Sequence, residues 1–196
     1  MSLLNQLIKQ AKGPEGFVGK IMIQIMNIVH AKRTRWGINK LYIKEDATAL
    51  DVGCGGGNAI TLLIKRLPKG KVFGIDYAED CVDTTVKKNI RAVNSGQVEV
   101  IKASVSELPF SKESFDLVTA IQTHYFWPDL ENDISEVYRV LKEKGTFLIV
   151  SEHYKIHYHM ERYNTVKELE TLLYSMKFKE VKIFEDNGWL CLVGVK

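Results

Sequence analysis

The segment Asp51 to Asn58 reads Asp-Val-Gly-Cys-Gly-Gly-Gly-Asn and follows a short apolar run at Thr48 to Val52. Glycine has no Cβ, so the backbone N–H groups of such a loop can approach a ligand closely. A helix that begins directly after the loop adds the positive end of its dipole. Because open α/β sheets bind ligands at the carboxyl ends of their strands, this segment predicts a ligand site on such a sheet.

Strand and helix patterns alternate along the rest of the chain. The predicted strands are 48–52, 71–75, 98–102, 115–121, 146–151, 179–184 and 189–195, and the predicted helices are 59–67, 79–94, 130–141 and 165–176. Alternation predicts an α/β fold, a mostly parallel sheet with helices on both faces. Asp186-Asn187-Gly188 is a hairpin signal, so the last strand is expected to run antiparallel to its neighbour.

The first 44 residues differ in character from the remainder. They contain eight Lys or Arg and one acid, whereas residues 45–196 are mildly acidic. Ile21, Ile25 and Val29 are part of an apolar face at helical spacing, which Gly13-Pro14 and Gly37 are expected to interrupt. We predict an N-terminal helical lid segment at 1–44 and a ligand-binding domain at 45–196. The basic segment either steers an anionic partner or forms an ordinary solvated helix surface.

Composition excludes several classes of protein. No run of about 18 apolar residues is present, which argues against a transmembrane helix, and the start lacks the pattern of a signal peptide. Cys54, Cys81 and Cys191 are scattered and odd in number, so neither a disulfide framework nor a zinc site is indicated. We therefore expect a cytoplasmic protein without a bound metal or a membrane partner.

The spacing of the glycines discriminates between ligands. The nicotinamide fingerprint G-x-G-x-x-G fails at Asn58 when counted from Gly53 and at Ile60 when counted from Gly55. The pattern that fits is acid-x-G-x-G-x-G, beginning at Asp51. An acid before the loop suits a ligand with an ammonium group and would repel a pyrophosphate. No Gly-Lys-Ser/Thr follows, so the loop is not a P-loop.

This loop resembles motif I of the class I S-adenosylmethionine-dependent methyltransferases. The resemblance extends over about residues 48–196 and is closest to the UbiE-like methyltransferases of the type 11 superfamily, which include enzymes of quinone biosynthesis. It implies a Rossmann-like seven-stranded mixed sheet with an antiparallel C-terminal hairpin strand. It also implies S-adenosylmethionine as the cofactor and S-adenosylhomocysteine as its product.

The resemblance assigns cofactor contacts residue by residue. Asp76 matches the acid that holds the ribose, and Tyr77 would flank the adenine. Ser104 stands where the family carries an acid near the adenine amino group, so that contact is expected to lack a charge. The full predicted cofactor set is Asp51, Gly53, Cys54, Gly55, Gly57, Asn58, Asp76, Tyr77, Ser104, Val105, Ile121 and Gln122.

The acceptor is expected between the loops after the fourth and fifth strands and the N-terminal segment. The candidate residues are Trp36, His124, Tyr125, Trp127 and His153, with His30, Gln122, Thr123 and Tyr154 as further possibilities. Aromatic rings commonly wall small-molecule pockets, but they also pack beneath helices, and both interpretations stay open here. His124 is a weak candidate for a general base, and we assign no catalytic residue.

Four functions remain to be compared. The favoured one is a methyltransferase acting on a small molecule. An alternative is a nucleic-acid or protein methyltransferase that docks through the basic segment, although Gln122-Thr123-His124-Tyr125 is not an amino-methyltransferase Asp/Asn-Pro-Pro-Tyr motif. A non-catalytic binding module is a third, and a nicotinamide oxidoreductase is disfavoured by Asn58 and Asp51. A nucleic-acid partner is not expected, and the sequence leaves the acceptor and the oligomeric state open.

Overall fold

The computed structural model describes residues 16–196. Residues 1–15 of the predicted N-terminal segment, with Gly13-Pro14, lie outside the described residues. The described elements are α1 (Gly16–Ile38), β1 (Thr48–Val52), α2 (Asn58–Arg66), β2 (Lys71–Asp76), α3 (Glu79–Lys88), α4 (Ile90–Asn94), β3 (Val98–Lys102), β4 (Phe115–Ile121), a 3₁₀ turn (His124–Phe126), α5 (Leu130–Val140), β5 (Leu141–Glu152), α6 (His153–His159), α7 (Val166–Ser175), β6 (Glu180–Asp186) and β7 (Trp189–Val195).

All seven described strands form one sheet in the order β3-β2-β1-β4-β5-β7-β6. The pairs among β1 to β5 are parallel, whereas β7 runs antiparallel to both β5 and β6. The order reverses direction next to β1, so the loops after β1 and β4 diverge and leave a crevice at their carboxyl ends. The predicted Rossmann-like mixed sheet with an antiparallel C-terminal hairpin strand is confirmed.

Both faces of the sheet are buried. On one face Leu50, Phe147 and Ile149 belong to a core that α5 and α7 complete with Ile134 and Leu172. On the other face Ala49, Leu148 and Val150 pack in a core with Ile60 and Leu63 of α2 and with Ile38 of α1. Successive residues of a strand therefore contribute to opposite cores, which explains why the central strands are apolar throughout rather than alternating.

The predicted helix at 79–94 is two helices, because Asn89 interrupts it. The Asn89 backbone has φ −109° and ψ 23°, and its side chain is buried. Its Nδ2 donates to the Thr85 carbonyl at 3.0 Å, and its Oδ1 accepts from Thr61 Oγ1 at 2.8 Å. Short polar side chains that bond nearby backbone groups compete with helical hydrogen bonding, and here the competition ends α3.

Two features near β5 were not predicted. The strand begins at Leu141 rather than Thr146, with a register shift opposite Phe115 and a φ of 64° at Lys144, so the predicted turn lies within the strand as an irregularity. The chain then forms α6 at His153–His159, a segment without a helical apolar pattern of its own. Ile156 anchors helix α6 to the protein, because its side chain is buried in the core.

Several local predictions are confirmed. Asn187 and Gly188 both have positive φ, 48° and 80°, which is the backbone of a two-residue hairpin turn between β6 and β7. The Thr165 side chain caps α7, and the Glu168 side chain accepts the Thr165 N–H, so both halves of the capping box are present.

Within residues 16–196, no helix has the length and hydropathy needed to cross a membrane.

Helix α1 packs closely on the sheet at Gly37, in its last turn, one residue before the helix ends at Ile38. A Cβ at Gly37 would come within 2.2 Å of Val150 Cγ2, so only glycine allows this approach to β5. The contact fixes the distance between α1 and the strand whose carboxyl end leads to α6.

We therefore expect Gly37→Ala to destabilise the protein. Alanine normally favours a helix interior by about 1 kcal/mol, yet overpacking against buried Val150 should outweigh this and lower the free energy of unfolding by about 1–3 kcal/mol. Urea denaturation of the wild type, Gly37→Ala, Val150→Ala and the double variant forms a complete cycle. A coupling of at least about 1 kcal/mol is expected, and additive effects would show that the contact is not the cause.

Candidate active site

A cavity of about 510 Å³ opens at the carboxyl ends of β1, β2, β4 and β5. The residues that line it include the glycine loop, the end of β2, the loop after β3, the 3₁₀ turn after β4, and parts of α1 and α6. Its position at the reversal of strand order is the one expected for a ligand site in an open α/β sheet.

The glycine loop forms the floor of the cavity. Gly53, Gly55 and Gly57 have φ of 76°, 52° and 76°, a backbone region that favours glycine. The loop is also fixed by its surroundings, since a Cβ at Gly53 would lie 2.5 Å from Thr123 Cγ2. Gly53 and Cys54 both donate their N–H to the Ile75 carbonyl at 2.9 Å, which joins the loop to β2. The space above the glycines is thereby left to a ligand.

Asp76, at the end of β2, organises this part of the cavity. Its Oδ2 accepts the Gly55 N–H at 2.9 Å, and its Oδ1 accepts the Ala78 N–H at 3.0 Å. The side chain is buried and lines the cavity. Burial raises the pKa of the carboxyl, while the N–H bonds from Ala78 and Gly55 oppose that shift. The Cys81 thiol and the Tyr77 backbone N–H also hydrogen-bond this carboxylate and lower its pKa.

Asp51 lines the same cavity from the end of β1 and is 2% exposed. Thr119 Oγ1 of β4 donates to its Oδ1 at 2.6 Å. Burial raises the pKa of Asp51 to about 7, the Thr119 hydrogen bond opposes the shift, and the nearby Asp76 adds to it. Two carboxyl groups in one buried wall create a strong preference for a cationic ligand.

The other predicted cofactor residues divide between the cavity wall and its supports. Cys54, Gly53, Gly55, Asn58, Tyr77, Ser104, Val105, Ile121 and Gln122 all line the cavity. Gly57 does not line it and instead precedes α2 as its N-cap. The Ser104 hydroxyl accepts the Ser106 N–H at 3.2 Å, as a turn residue does, and burial raises the pKa of the Cys54 thiol.

Helix α1 closes one side of the cavity and contacts the glycine loop directly. Asn27 Nδ2 donates to the Gly56 carbonyl at 3.2 Å, and Asn58 Nδ2 donates to the Asn27 carbonyl at 2.6 Å. Met26, Asn27, His30 and Thr34 all line the cavity from this helix. The described part of the predicted lid segment therefore supplies a wall of the site.

The predicted acceptor residues are only partly brought together. Tyr125 and Trp127 line the cavity, as do His30 and Thr123. Trp36 instead packs edge-to-face on Trp189 of β7, with ring centroids 5.7 Å apart. His153 Nε2 lies 3.0 Å from Glu185 Oε1 on β6, and the Tyr154 side chain is exposed. The Trp36 and His153 side chains are not among those lining the cavity, because each packs against the β6–β7 hairpin instead.

His124, the weak candidate for a general base, lies beneath the cavity rather than in its wall. It is 1% exposed, and neither ring nitrogen has a hydrogen-bond partner among residues 16–196. Burial lowers its pKa to about 3, so the ring is neutral at physiological pH. Its ring packs edge-to-face on Tyr125. This environment fits a packing role better than proton transfer.

Lys155 and His159 line the cavity from α6, although neither was predicted as an acceptor residue. His159 stacks on Tyr125 with the two rings 9° from parallel and their centroids 5.3 Å apart. Lys155 Nζ lies 3.1 Å from Gln122 Oε1 and 2.9 Å from His30 Nε2. The sequence pattern did not predict the helix after β5, and it is this helix that places the two side chains in the crevice.

Sequence comparisons agree with this geometry. Residues 49–145 match a family model described as a methyltransferase domain. A demethylmenaquinone methyltransferase of Lactobacillus johnsonii is 35% identical over 108 residues, 54% of this chain and 44% of that protein. The sterol 24-C-methyltransferase erg-4 of Neurospora crassa is 35% identical over 105 residues, 54% of this chain and 27% of that protein. The chain thus spans less than half the length of both relatives.

Among solved structures, a SAM-dependent methyltransferase from Aquifex aeolicus has a similar fold, with a TM-score of 0.72 at 20% identity over 90% of this chain and 97% of that one. The sheet order, the position of the glycine loop and the match over residues 49–145 are in agreement. The chain therefore belongs to the class I S-adenosylmethionine-dependent methyltransferases.

Proposed function

We propose that this protein transfers a methyl group from S-adenosylmethionine to a small-molecule acceptor. The observation that carries the proposal is that one cavity joins the glycine loop and Asp76 to the aromatic residues Tyr125, Phe126 and Trp127. Cofactor and acceptor would therefore occupy adjacent parts of a single enclosed space.

The first part of the cavity fits the cofactor in shape and charge. The three positive-φ glycines leave room beside the backbone, and the Asp76 carboxylate lines the cavity where a ribose diol is proposed to lie. Asp51 and Asp76 together would attract the ammonium and sulfonium groups. Tyr77, Ser104 and Val105 line the end of the cavity at β2 and β3, where the adenine is proposed to bind.

When bound, the cofactor would supply a methyl group that its sulfonium sulfur has already activated for transfer. The protein then has to hold the two ligands in line and exclude water, and positioning of this kind accounts for much of the rate. Helix α1 on one side and the residues of α6 on the other are placed to do this. We assign no general base.

The acceptor is proposed to be small because the cavity, about 510 Å³, must hold it together with the cofactor. The alternative, a nucleic-acid or protein substrate docked on the basic N-terminal segment, predicts different behaviour. Binding of a nucleic acid would weaken steeply with salt, whereas binding of a small acceptor inside the cavity would depend on salt only slightly.

Substitution of Asp76 tests the cofactor site. Asp76→Asn keeps one oxygen but removes the charge, and we expect the affinity for S-adenosylhomocysteine to fall by at least about tenfold, the scale of a charged hydrogen bond. Isothermal titration calorimetry measures this, and Asp83→Asn, an exposed carboxylate on α3, is the matched control. Equal affinity in the wild type and Asp76→Asn would contradict the proposed ribose contact.

The pH dependence of binding tests Asp51. Its raised pKa of about 7 means that the free protein carries a proton on Asp51 at lower pH, and an ammonium ligand must displace that proton. Affinity for S-adenosylhomocysteine should therefore rise from about pH 5.5 to about pH 7.5, by up to about tenfold per pH unit below the pKa.

Two controls separate Asp51 from other titrating groups. 5′-Methylthioadenosine shares the ribose and adenine but has no ammonium, so its affinity should lack this rise. In Asp51→Asn the ratio of the two affinities should become independent of pH. A ratio that varies with pH as much in Asp51→Asn as in the wild type would assign the effect to another residue.

A further inference from the structure

Five side chains form a polar cluster between α1 and α6, which we call the α1–α6 cluster: His30, Arg33, Gln122, Glu152 and Lys155. Three of them, His30, Gln122 and Lys155, line the cavity. We propose that this cluster binds a carboxylate of the methyl acceptor through Lys155 and the side-chain amide of Gln122. The inference rests on the proposed function, since it names the chemistry of the acceptor.

The hydrogen bonds of the cluster set the orientation of the Gln122 amide. An ammonium group only donates, so the 3.1 Å contact with Lys155 Nζ places the oxygen Oε1 on that side. Tyr125 Oη also lies 3.0 Å from Oε1. The remaining atom, Nε2, is buried and has no hydrogen-bond partner among residues 16–196. Gln122 is 5% exposed, so this NH₂ group is a donor that water does not satisfy.

The charges of the cluster do not balance. Arg33 Nη2 lies 2.7 Å from Glu152 Oε1, and Lys155 Nζ lies 3.2 Å from Glu152 Oε2. In the described part of the chain, Glu152 is the single carboxylate within ion-pair distance of either cation. His30 does not change this count of charges, because burial and the two cations lower its pKa to about 3 and keep the ring neutral. One positive charge is therefore in excess.

This excess charge is largely withdrawn from water. The side chains of Arg33, Glu152 and Lys155 are 13%, 9% and 18% exposed. A partly buried cation without a full counter-charge is costly, and an anionic ligand in the adjoining cavity would remove that cost. Lys155 can donate a hydrogen bond to such a ligand instead of to Gln122 Oε1. The Gln122 oxygen then still has a partner, because the Tyr125 hydroxyl donates to it.

The backbone conformation at Gln122 is unusual for a non-glycine residue, and this is consistent with a ligand site. Its φ is 61°, in the left-handed region that non-glycine residues seldom adopt, while its N–H donates to the Val150 carbonyl at 2.8 Å. Such strain persists where the surrounding structure imposes it, and it concentrates at ligand sites. Here it turns the chain at the end of β4 and sets Gln122 in the cavity wall.

The two ends of the cavity therefore have opposite charge. Asp51 and Asp76 form an acidic wall at β1 and β2, whereas Lys155 lies at the other end, on α6. The cofactor carries a carboxylate of its own, so an oxyanion can reach the cluster from the acceptor or from the cofactor. We assign it to the acceptor because Gln122 and Lys155 adjoin Tyr125 in the aromatic part of the cavity.

The test uses the full chain and a set of small carboxylic acids, each paired with its neutral primary amide. Ligand-observed NMR titrations, with and without S-adenosylhomocysteine, compare the wild type, Lys155→Met, Lys155→Arg and Gln122→Leu. Lys167→Met is the control, because that lysine is exposed on α7 and pairs with Glu170. We expect at least one carboxylate to bind about tenfold more tightly than its amide in the wild type.

That preference should disappear in Lys155→Met, weaken in Gln122→Leu, and persist in Lys155→Arg and Lys167→Met. Equal binding of every acid and amide, or no binding of either, overturns the inference. So does a selective loss of S-adenosylhomocysteine affinity in Lys155→Met with 5′-methylthioadenosine unaffected, because the oxyanion would then belong to the cofactor. A wild-type chain that fails to bind S-adenosylhomocysteine contradicts the proposed function instead, and the titrations without it still decide the carboxylate preference.

Discussion

The carboxylate of Asp76 is the contact on which the candidate site depends. One oxygen holds the Gly55 N–H and the other holds the Ala78 N–H, so a single side chain sets the separation between the loop after β1 and the turn after β2. Because the carboxylate is buried while it does this, the protein maintains an acidic wall whose charge a cationic ligand is suited to balance.

The opposite end of the cavity is built by different means. Asn27 and Asn58 fasten α1 to the glycine loop, and Gly37 lets the same helix approach β5. Helix α6 then brings Lys155 against His30. The acidic end is formed by loops of the sheet, whereas the basic end is formed by helices packed on it.

The sequence predicted the features that depend on residues close together in the chain, and it missed those that depend on distant contacts. The glycine loop, the capping box at Thr165 and the turn at Asn187-Gly188 each depend on neighbouring residues, and the structure has all three features. The break at Asn89 depends on a contact with Thr61, and α6 depends on burial of Ile156 in a distant core, so neither is visible in a local pattern. Trp36 was predicted at the site as part of the N-terminal lid, and His153 as part of the loop after the fifth strand, whereas the β6–β7 hairpin provides their partners.

The position of β7 has a consequence for biosynthesis. It lies between β5 and β6 and pairs with the second edge of β5 from Thr146 to Glu152, yet it is synthesised about forty residues later than that stretch. At about 5–20 residues per second, the apolar strand around Phe147 to Val150 waits roughly 2–8 s with that edge unpaired. A nascent chain in this state offers a template for pairing with other chains. The risk of aggregation is therefore concentrated in translation, and any chaperone assistance is most useful during that interval.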